Sequence, residues 1–240
     1  MTYAIQMENF SYKYPDGTAA LDNITLNIEH NVHTAVIGPN GAGKSTLLLA
    51  MAGLIGGTGG LLIEGLEPTR KNHREIRRRI GCCLQSPDDQ LFMPTLEDDI
   101  GFGLLNIGMS AEQAQKGAQQ ALKKVGLAGF GNKMPHHLSA GQKRAAAIAT
   151  IVAMNPAIIT LDEPDSSLDP RQRNNLLGLL SSLDQTLIIA TCSMNFAACL
   201  CDQAVLLDQG RLIMTGPAKQ IMTDESLMKS HGLESPFSFG

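Results

Sequence analysis

No apolar run in this 240-residue chain is long enough to span a bilayer; the best, residues 145–161, is broken by Asn155 and Pro156. The first five residues lack the basic and then apolar regions of a secretory signal. The chain is therefore expected to stay in the cytosol, with any membrane association made through a partner. Excess positive charge is missing too. A net charge of -4 gives no general attraction to nucleic acid or to an anionic membrane surface. The basic run 74–79 reads as a charged helix leading into the strand 80–84, so no nucleic-acid partner is expected. Cysteine is scarce, and Cys82-Cys83 and Cys199-Leu200-Cys201 lie in apolar stretches without a second ligand pair at zinc spacing. Buried free thiols are expected, with no metal cluster and no disulfide. No internal repeat or low-complexity linker divides the chain.

What is present is a pattern of strands and helices with a hydrophobic fraction of 43%, ordinary for a globular protein. Ile24, Leu26 and Ile28 alternate with Thr25, Asn27 and Glu29, as in a half-buried strand, and Tyr14-Pro15-Asp16-Gly17 reads as a turn between two early strands. The apolar run 34–37 enters a glycine-rich loop, and 47–54 reads as the helix that follows. Residues 157–161 and 186–190 have the continuous apolar character of strands covered on both faces. Between about 88 and 153 the pattern is mainly helical, including 111–125. These features predict an α/β core with an N-terminal antiparallel β subdomain and a helical subdomain. The expected division is a core with β subdomain at about 1–85 and 154–216, a helical part at about 86–153, and a C-terminal tail at 217–240.

The glycine-rich loop, Gly38-Pro39-Asn40-Gly41-Ala42-Gly43-Lys44-Ser45, fits the phosphate-loop spacing of Gly, four residues, Gly-Lys-Ser, with Thr46 next in the chain. Its glycines let successive backbone N–H groups wrap a phosphate, and the following helix aims its positive dipole end at the same anion. Lys44 supplies a mobile cation for the β and γ phosphates and Ser45 a hydroxyl for Mg²⁺. A plain glycine-rich turn is the bland alternative, but the strand before and the helix after supply the context the motif needs. The strand 157–161 ends in Asp162-Glu163-Pro164. Asp162 there suits Mg²⁺, usually through water, while Glu163 on the other face suits polarisation of an attacking water. Alone, such a tripeptide is often only a polar loop; after a phosphate loop it carries more.

Leu138-Ser139-Ala140-Gly141-Gln142 contains a helix capping box, Ser139 with Gln142, and a capped helix start is also an anion site. Taken with Gln85, residues 157–164 and Ser166-Ser167-Leu168-Asp169, it makes the chain resemble the ATP-binding cassette family over nearly its whole length. The resemblance implies a head-to-tail dimer, of two copies or of this chain with a relative, holding ATP and Mg²⁺ at the interface. The phosphate loop of one subunit would face Ser139, Ala140, Gly141 and Gln142 of the other, with Ser167 and Asp169 at the dimer seam. It implies that Glu163 is catalytic, that Gln85 senses Mg²⁺ and links the site to the helical subdomain, and that Tyr14, a better match than Tyr12, stacks on adenine. Either tyrosine could instead be strand packing. One departure stands out: where the family has a histidine at the γ-phosphate, this chain reads Ala190-Thr191-Cys192-Ser193. A thiol is short, a weak donor and mostly neutral at pH 7, so slowed hydrolysis is expected.

A narrower resemblance lies in residues 85–92, Gln-Ser-Pro-Asp-Asp-Gln-Leu-Phe, followed by 95–100, Phe102 and Gly103. This block is similar to the ATPase subunits of energy-coupling-factor importers, which take up cobalt, nickel, biotin and other vitamins. In that family the acidic turn lines a groove for an integral membrane coupling subunit, which works with a substrate-binding membrane subunit. Asp88, Asp89 and Gln90 would then form the coupling surface, at the cytoplasmic face of the membrane. Two solvated turns, with Thr95 and Asp98 as a second capping box, would explain the same residues. His231-Gly232-Leu233-Glu234 resembles the metal-uptake members, which puts cobalt or nickel ahead of biotin; neither ion is expected to bind this chain. A soluble cassette ATPase and a weakly hydrolysing regulatory subunit are the other readings open at this point.

Overall fold

The computed structural model describes residues 3–237. The chain runs β1 (Ile5–Lys13), β2 (Ala19–Ile28), β3 (His33–Ile37), α1 (Lys44–Met51), β4 (Thr58–Ile63), α2 (His73–Arg79) and β5 (Ile80–Cys83). A short 3₁₀ turn at Pro87–Asp89 leads to α3 (Leu96–Asn106) and α4 (Ala111–Lys124), and another at Pro135–His137 precedes α5 (Ala140–Val152). The rest is β6 (Ile158–Asp162), α6 (Pro170–Ser181), β7 (Thr186–Ala190), α7 (Met194–Leu200), β8 (Gln203–Asp208), β9 (Arg211–Pro217), α8 (Ala218–Thr223) and α9 (Glu225–Ser230). The described residues form two compact units, one of residues 3–82, 157–163 and 184–237, the other of 83–156 and 164–183.

The first unit holds an antiparallel sheet, order β2-β1-β4, and a six-stranded sheet, order β5-β6-β7-β3-β8-β9. In β2 the buried positions include Ile24, Leu26 and Ile28, the alternation that one covered face requires. By contrast β3, β6 and β7 are buried almost throughout and pair in parallel, β6 with β7 and β7 with β3. β8 pairs parallel to β3, and β9 closes that edge antiparallel to β8. The helix after β3 begins at Lys44, three residues ahead of the start that apolar pattern indicates. Gly43, at φ 100°, ends the loop at once, and Lys44, Ser45 and Thr46 are helical although they are polar. Cys83 and Cys201 are buried and Cys82 half-buried, but Cys199 is exposed on α7, contrary to the expectation of a buried thiol. The apolar stretch around it reflects its helical neighbours Phe196, Ala197, Ala198 and Leu200, which face the core.

The second unit is helical. Its core gathers Leu96, Ile100 and Leu104 of α3, Ala114, Ala118, Ala121 and Leu122 of α4, and Ala146 and Ala149 of α5. The α4 positions fall at i, i+4, i+7 and i+8, one stripe of a 3.6-residue helix. Residues 164–183, which the sequence pattern groups with the core, are compact with this unit instead. Within it, Asp99 is buried, and its Oδ1 accepts the backbone N–H groups of Phe92 and Met93, each at 3.1 Å. Oδ2 has no hydrogen-bond partner among the described residues. Burial pushes the Asp99 carboxyl above the ordinary carboxylate range, against the two N–H bonds that pull it down. The folded state thus holds this proton more tightly than the unfolded chain. Its stability contribution is full at low pH and declines as pH rises through that raised value. Asp99→Ala is expected to cost about 3 kcal/mol, since two N–H groups lose their acceptor. Asp99→Asn, which keeps an oxygen there, should be nearly neutral and should flatten the pH dependence of the unfolding free energy in urea titrations.

Candidate functional site

In the first unit the parallel strands deliver several polar groups to one end of the sheet. β3 lies between β7 and β8, so the chain leaving Ile37 enters its loop at the carboxyl ends of the strands. Glycine is required here by space as well as by torsion: a Cβ on Gly38 would lie 2.1 Å from the Leu207 carbonyl oxygen. Lys44 follows with its side chain 7% exposed, and its Nζ donates to the carbonyls of Gly38 at 2.8 Å and Pro39 at 3.2 Å. Ser45 is exposed on the first turn of α1, while Thr46 is buried, its hydroxyl 2.9 Å from the Tyr14 hydroxyl. Tyr14 sits in the β1–β2 turn, 39% exposed, with Tyr12 edge-on at 5.1 Å. Tyr12 packs against the core, so of the two tyrosines Tyr14 offers the freer ring.

At the tip of β6, Asp162 pairs with Ala190 of β7, and the N–H of Glu163 donates to the Ala190 carbonyl at 2.8 Å. Thr191 N–H in turn donates to Val36 O of β3 at 3.3 Å. This cross-bracing brings the three strand ends into register. Glu163 Oε2 accepts the N–H of Cys192 at 3.2 Å, and Oε1 lies 3.9 Å from Lys44 Nζ. The Cys192 thiol donates to Asn40 Oδ1 at 3.2 Å and accepts from Lys44 Nζ at 3.2 Å. Burial, then Glu163, raises its pKa above the ordinary thiol value, with Lys44 acting the other way. Cys192 is therefore a neutral thiol at pH 7. Glu163 holds φ 45°, a left-handed conformation costing about 1–3 kcal/mol in a non-glycine residue.

The second unit carries the other sequence-predicted residues. Ser139 caps α5 with both arms of the capping box: its Oγ accepts from Gln142 N at 3.3 Å, and Gln142 Oε1 accepts from Ser139 N at 3.0 Å. Ala140 and Gly141 form the first turn. A Cβ on Gly141 would meet the Gln172 carboxamide at 2.4 Å, and Gln172 belongs to the capping box that Asp169 makes at the start of α6. Ser167 precedes it at φ 61°. Gln85 is exposed at the end of the chain leaving β5. Asp88 is ion-paired with Lys143 at 2.5 Å, and Asp89 is exposed. Gln90 is turned inward: its Oε1 accepts from Leu84 N, and its Nε2 donates to Ala147 O and Thr150 Oγ1. Thr95 caps α3 through Asp98 N, but the second arm joins the two side chains at 2.6 Å instead of returning to the backbone. Beside this turn stand two exposed rings, Phe92 and Phe102, edge-to-face at 5.3 Å. Phe92 and Phe102 belong to the block of residues that carries the narrower resemblance, but that their rings meet is not legible there; the buried Arg144 is not singled out by sequence at all, its place on α5 matching an ordinary polar position.

A strand, a glycine loop and a helix bearing a buried lysine, with two carboxylates at the tip of the strand next but one, define a P-loop nucleotide-binding protein. The sequence profile of the ABC transporter family matches residues 21–166. The chain belongs to that family. A Streptomyces coelicolor protein, named provisionally as an ABC transporter ATP-binding protein, is 42% identical over 98% of this chain and 91% of its own length. The energy-coupling factor transporter ATP-binding protein EcfA of Methanococcus maripaludis is 40% identical over 97% of this chain and 86% of its own. Among solved structures, cbiO1 of Clostridium perfringens, part of the ABC transporter complex cbiONQ, matches with a TM-score of 0.83 at 33% identity, covering 96% of this chain and 94% of that one. The ATP-binding cassette MJ0796, solved as a dimer in a post-hydrolysis state with ADP and Pi, matches with a TM-score of 0.80 at 28% identity over 89% and 98%.

Proposed function

We propose that this chain is the ATP-hydrolysing motor of an energy-coupling-factor type importer. The observation that carries hydrolysis is the convergence of Lys44, Glu163 and Cys192 on one end of the sheet. Backbone N–H groups of residues 40–45 cradle the phosphates, Lys44 meets the β and γ oxygens, and Tyr14 stacks on the base. Glu163 accepts a proton from the attacking water. Ser45 and Asp162 offer oxygen donors of the kind Mg²⁺ takes, and no cluster of three His, Cys, Asp or Glu among the described residues could hold a metal unaided. That fits an ion completed by nucleotide oxygens and water, which would neutralise the developing phosphate charge. Ser139, Ala140, Gly141 and Gln142 act in trans in a head-to-tail dimer with a second cassette, Ser167 and Asp169 lie at its seam, and Gln85 responds to the bound magnesium nucleotide.

Coupling to a membrane partner is supported by the exposed Phe92–Phe102 pair beside Asp88 and Asp89. Aromatic anchors rimmed by charge suit a helix bearing apolar and basic residues. Gln90 serves this surface as the internal brace of its turn. No helix among the described residues is long and apolar enough to cross a membrane, so attachment to the cytoplasmic face falls to the partner. Cobalt or nickel ions are the solute we infer, with biotin the alternative; uptake assays with each distinguish them. The docking test is co-expression with the integral membrane coupling and substrate-binding subunits. The wild-type chain should co-purify with them from detergent-solubilised membranes. Phe92→Glu together with Phe102→Glu should lower recovery at least tenfold, about the weight of one interface hot spot. A wild-type chain that hydrolyses ATP yet never associates would instead be a soluble cassette ATPase.

A further inference from the structure

Arg144 is 4% exposed, the most buried arginine among the described residues. A guanidinium in such a place needs hydrogen bonds from several directions to offset its lost hydration. It finds them on two chain segments remote in sequence. Nη1 donates to Leu84 O at 2.9 Å, Nη2 donates to Gln85 O at 2.7 Å, and Nη2 also lies 3.5 Å from Ser166 Oγ. Arg144 itself stands on α5, one turn beyond the Ser139 cap. One planar fork thus fastens together the Gln85 segment, the helix that begins at Ser139, and the segment holding Ser166, Ser167 and Asp169.

We propose that Arg144 is a positioning residue for ATP hydrolysis, fixing the backbone of Gln85 so that its side chain acts in concert with α5 and the 166–169 segment. This inference rests on the function proposed above. Arginine is needed because its donors diverge in one plane; a lysine ammonium at the same depth has no fixed fork with which to span Leu84, Gln85 and Ser166. Since Lys44 and the phosphate loop belong to the other unit, loss of the clamp should affect turnover and leave nucleotide affinity largely intact.

The test uses the full chain assembled with its membrane partners, in the variants Arg144→Met, Arg144→Lys, Gln85→Ala and the corresponding doubles. Turnover, KM for MgATP and thermal midpoint are measured for each. Arg144→Met should lower kcat at least tenfold with KM changed less than threefold, and Arg144→Lys should fall between it and wild type. Combined with Gln85→Ala, neither should cause further loss, a coupling of about tenfold or 1.4 kcal/mol. A merely structural arginine would lower the thermal midpoint and leave kcat per folded molecule alone. That result overturns the proposal, as do losses that multiply in the double variants. If Arg144→Met fails to fold, Arg144→Lys, which retains charge and length, carries the cycle. An inactive wild-type assembly overturns the ATPase reading itself, a different outcome from an active one with independent losses.

Discussion

Glu163→Gln is expected to lower ATP turnover at least 100-fold while nucleotide affinity changes less than threefold, the effect of removing a general base without disturbing binding. Glutamine matches the shape of glutamate and retains an oxygen for the Cys192 N–H, now held at 3.2 Å. It takes no proton at neutral pH. The phosphate grip comes from loop N–H groups and from Lys44, neither of which the substitution removes. Cys192→His provides the complementary result. The neutral thiol reaches Asn40 and Lys44 but has no second polar atom with which to bridge Glu163 and a phosphate. An imidazole has one nitrogen to donate and another to accept, so turnover should rise several-fold, roughly 1 kcal/mol in the barrier. In the double variant the Glu163→Gln loss should persist. Steady-state phosphate release with equilibrium nucleotide binding checks all three proteins. Unchanged turnover in Cys192→His would mean that the thiol is not what limits hydrolysis, and an active Glu163→Gln would remove Glu163 from the mechanism.

Gly38→Ala is expected to weaken nucleotide binding at least 100-fold, by collision and not by charge. The added methyl group would meet Leu207 O at 2.1 Å. That oxygen belongs to β8, which is paired with β3 through Ile37–Leu206, so neither side can yield without opening the ladder. Overpacking of this kind costs about 1–3 kcal/mol even where side chains give way. Gly41→Ala is the control, because at φ 79° nothing lies within 4 Å of its Cβ. There only the left-handed backbone counts, about 1–2 kcal/mol. Titration calorimetry with a non-hydrolysable nucleotide, together with thermal melting, separates the two. Equal affinities for Gly38→Ala and wild type would contradict the packing of the loop against β8.

Features governed by neighbours in the chain were legible in the sequence. The glycine loop, the capping box at Ser139 and the paired acids at the end of β6 depend on torsions and on bonds spanning three residues, so residue type and spacing suffice. The doubly covered strands were legible for a related reason, since a strand without a wet face admits only apolar residues. The helix start at Lys44 was hidden because Gly43 sets it and no apolar period marks it. Tertiary structure alone decided the rest. Whether Gln90 faces a partner or braces Leu84 and Thr150, and whether Gln172 seals Gly141, depends on contacts across 6 to 60 residues. The three-segment hold of Arg144 spans 22 to 60 residues in the same way. A polar side chain reads alike in sequence whether it meets water or a buried carbonyl. Only the packing of α5 over the chain leaving β5 removes the water and turns Arg144 into a clamp.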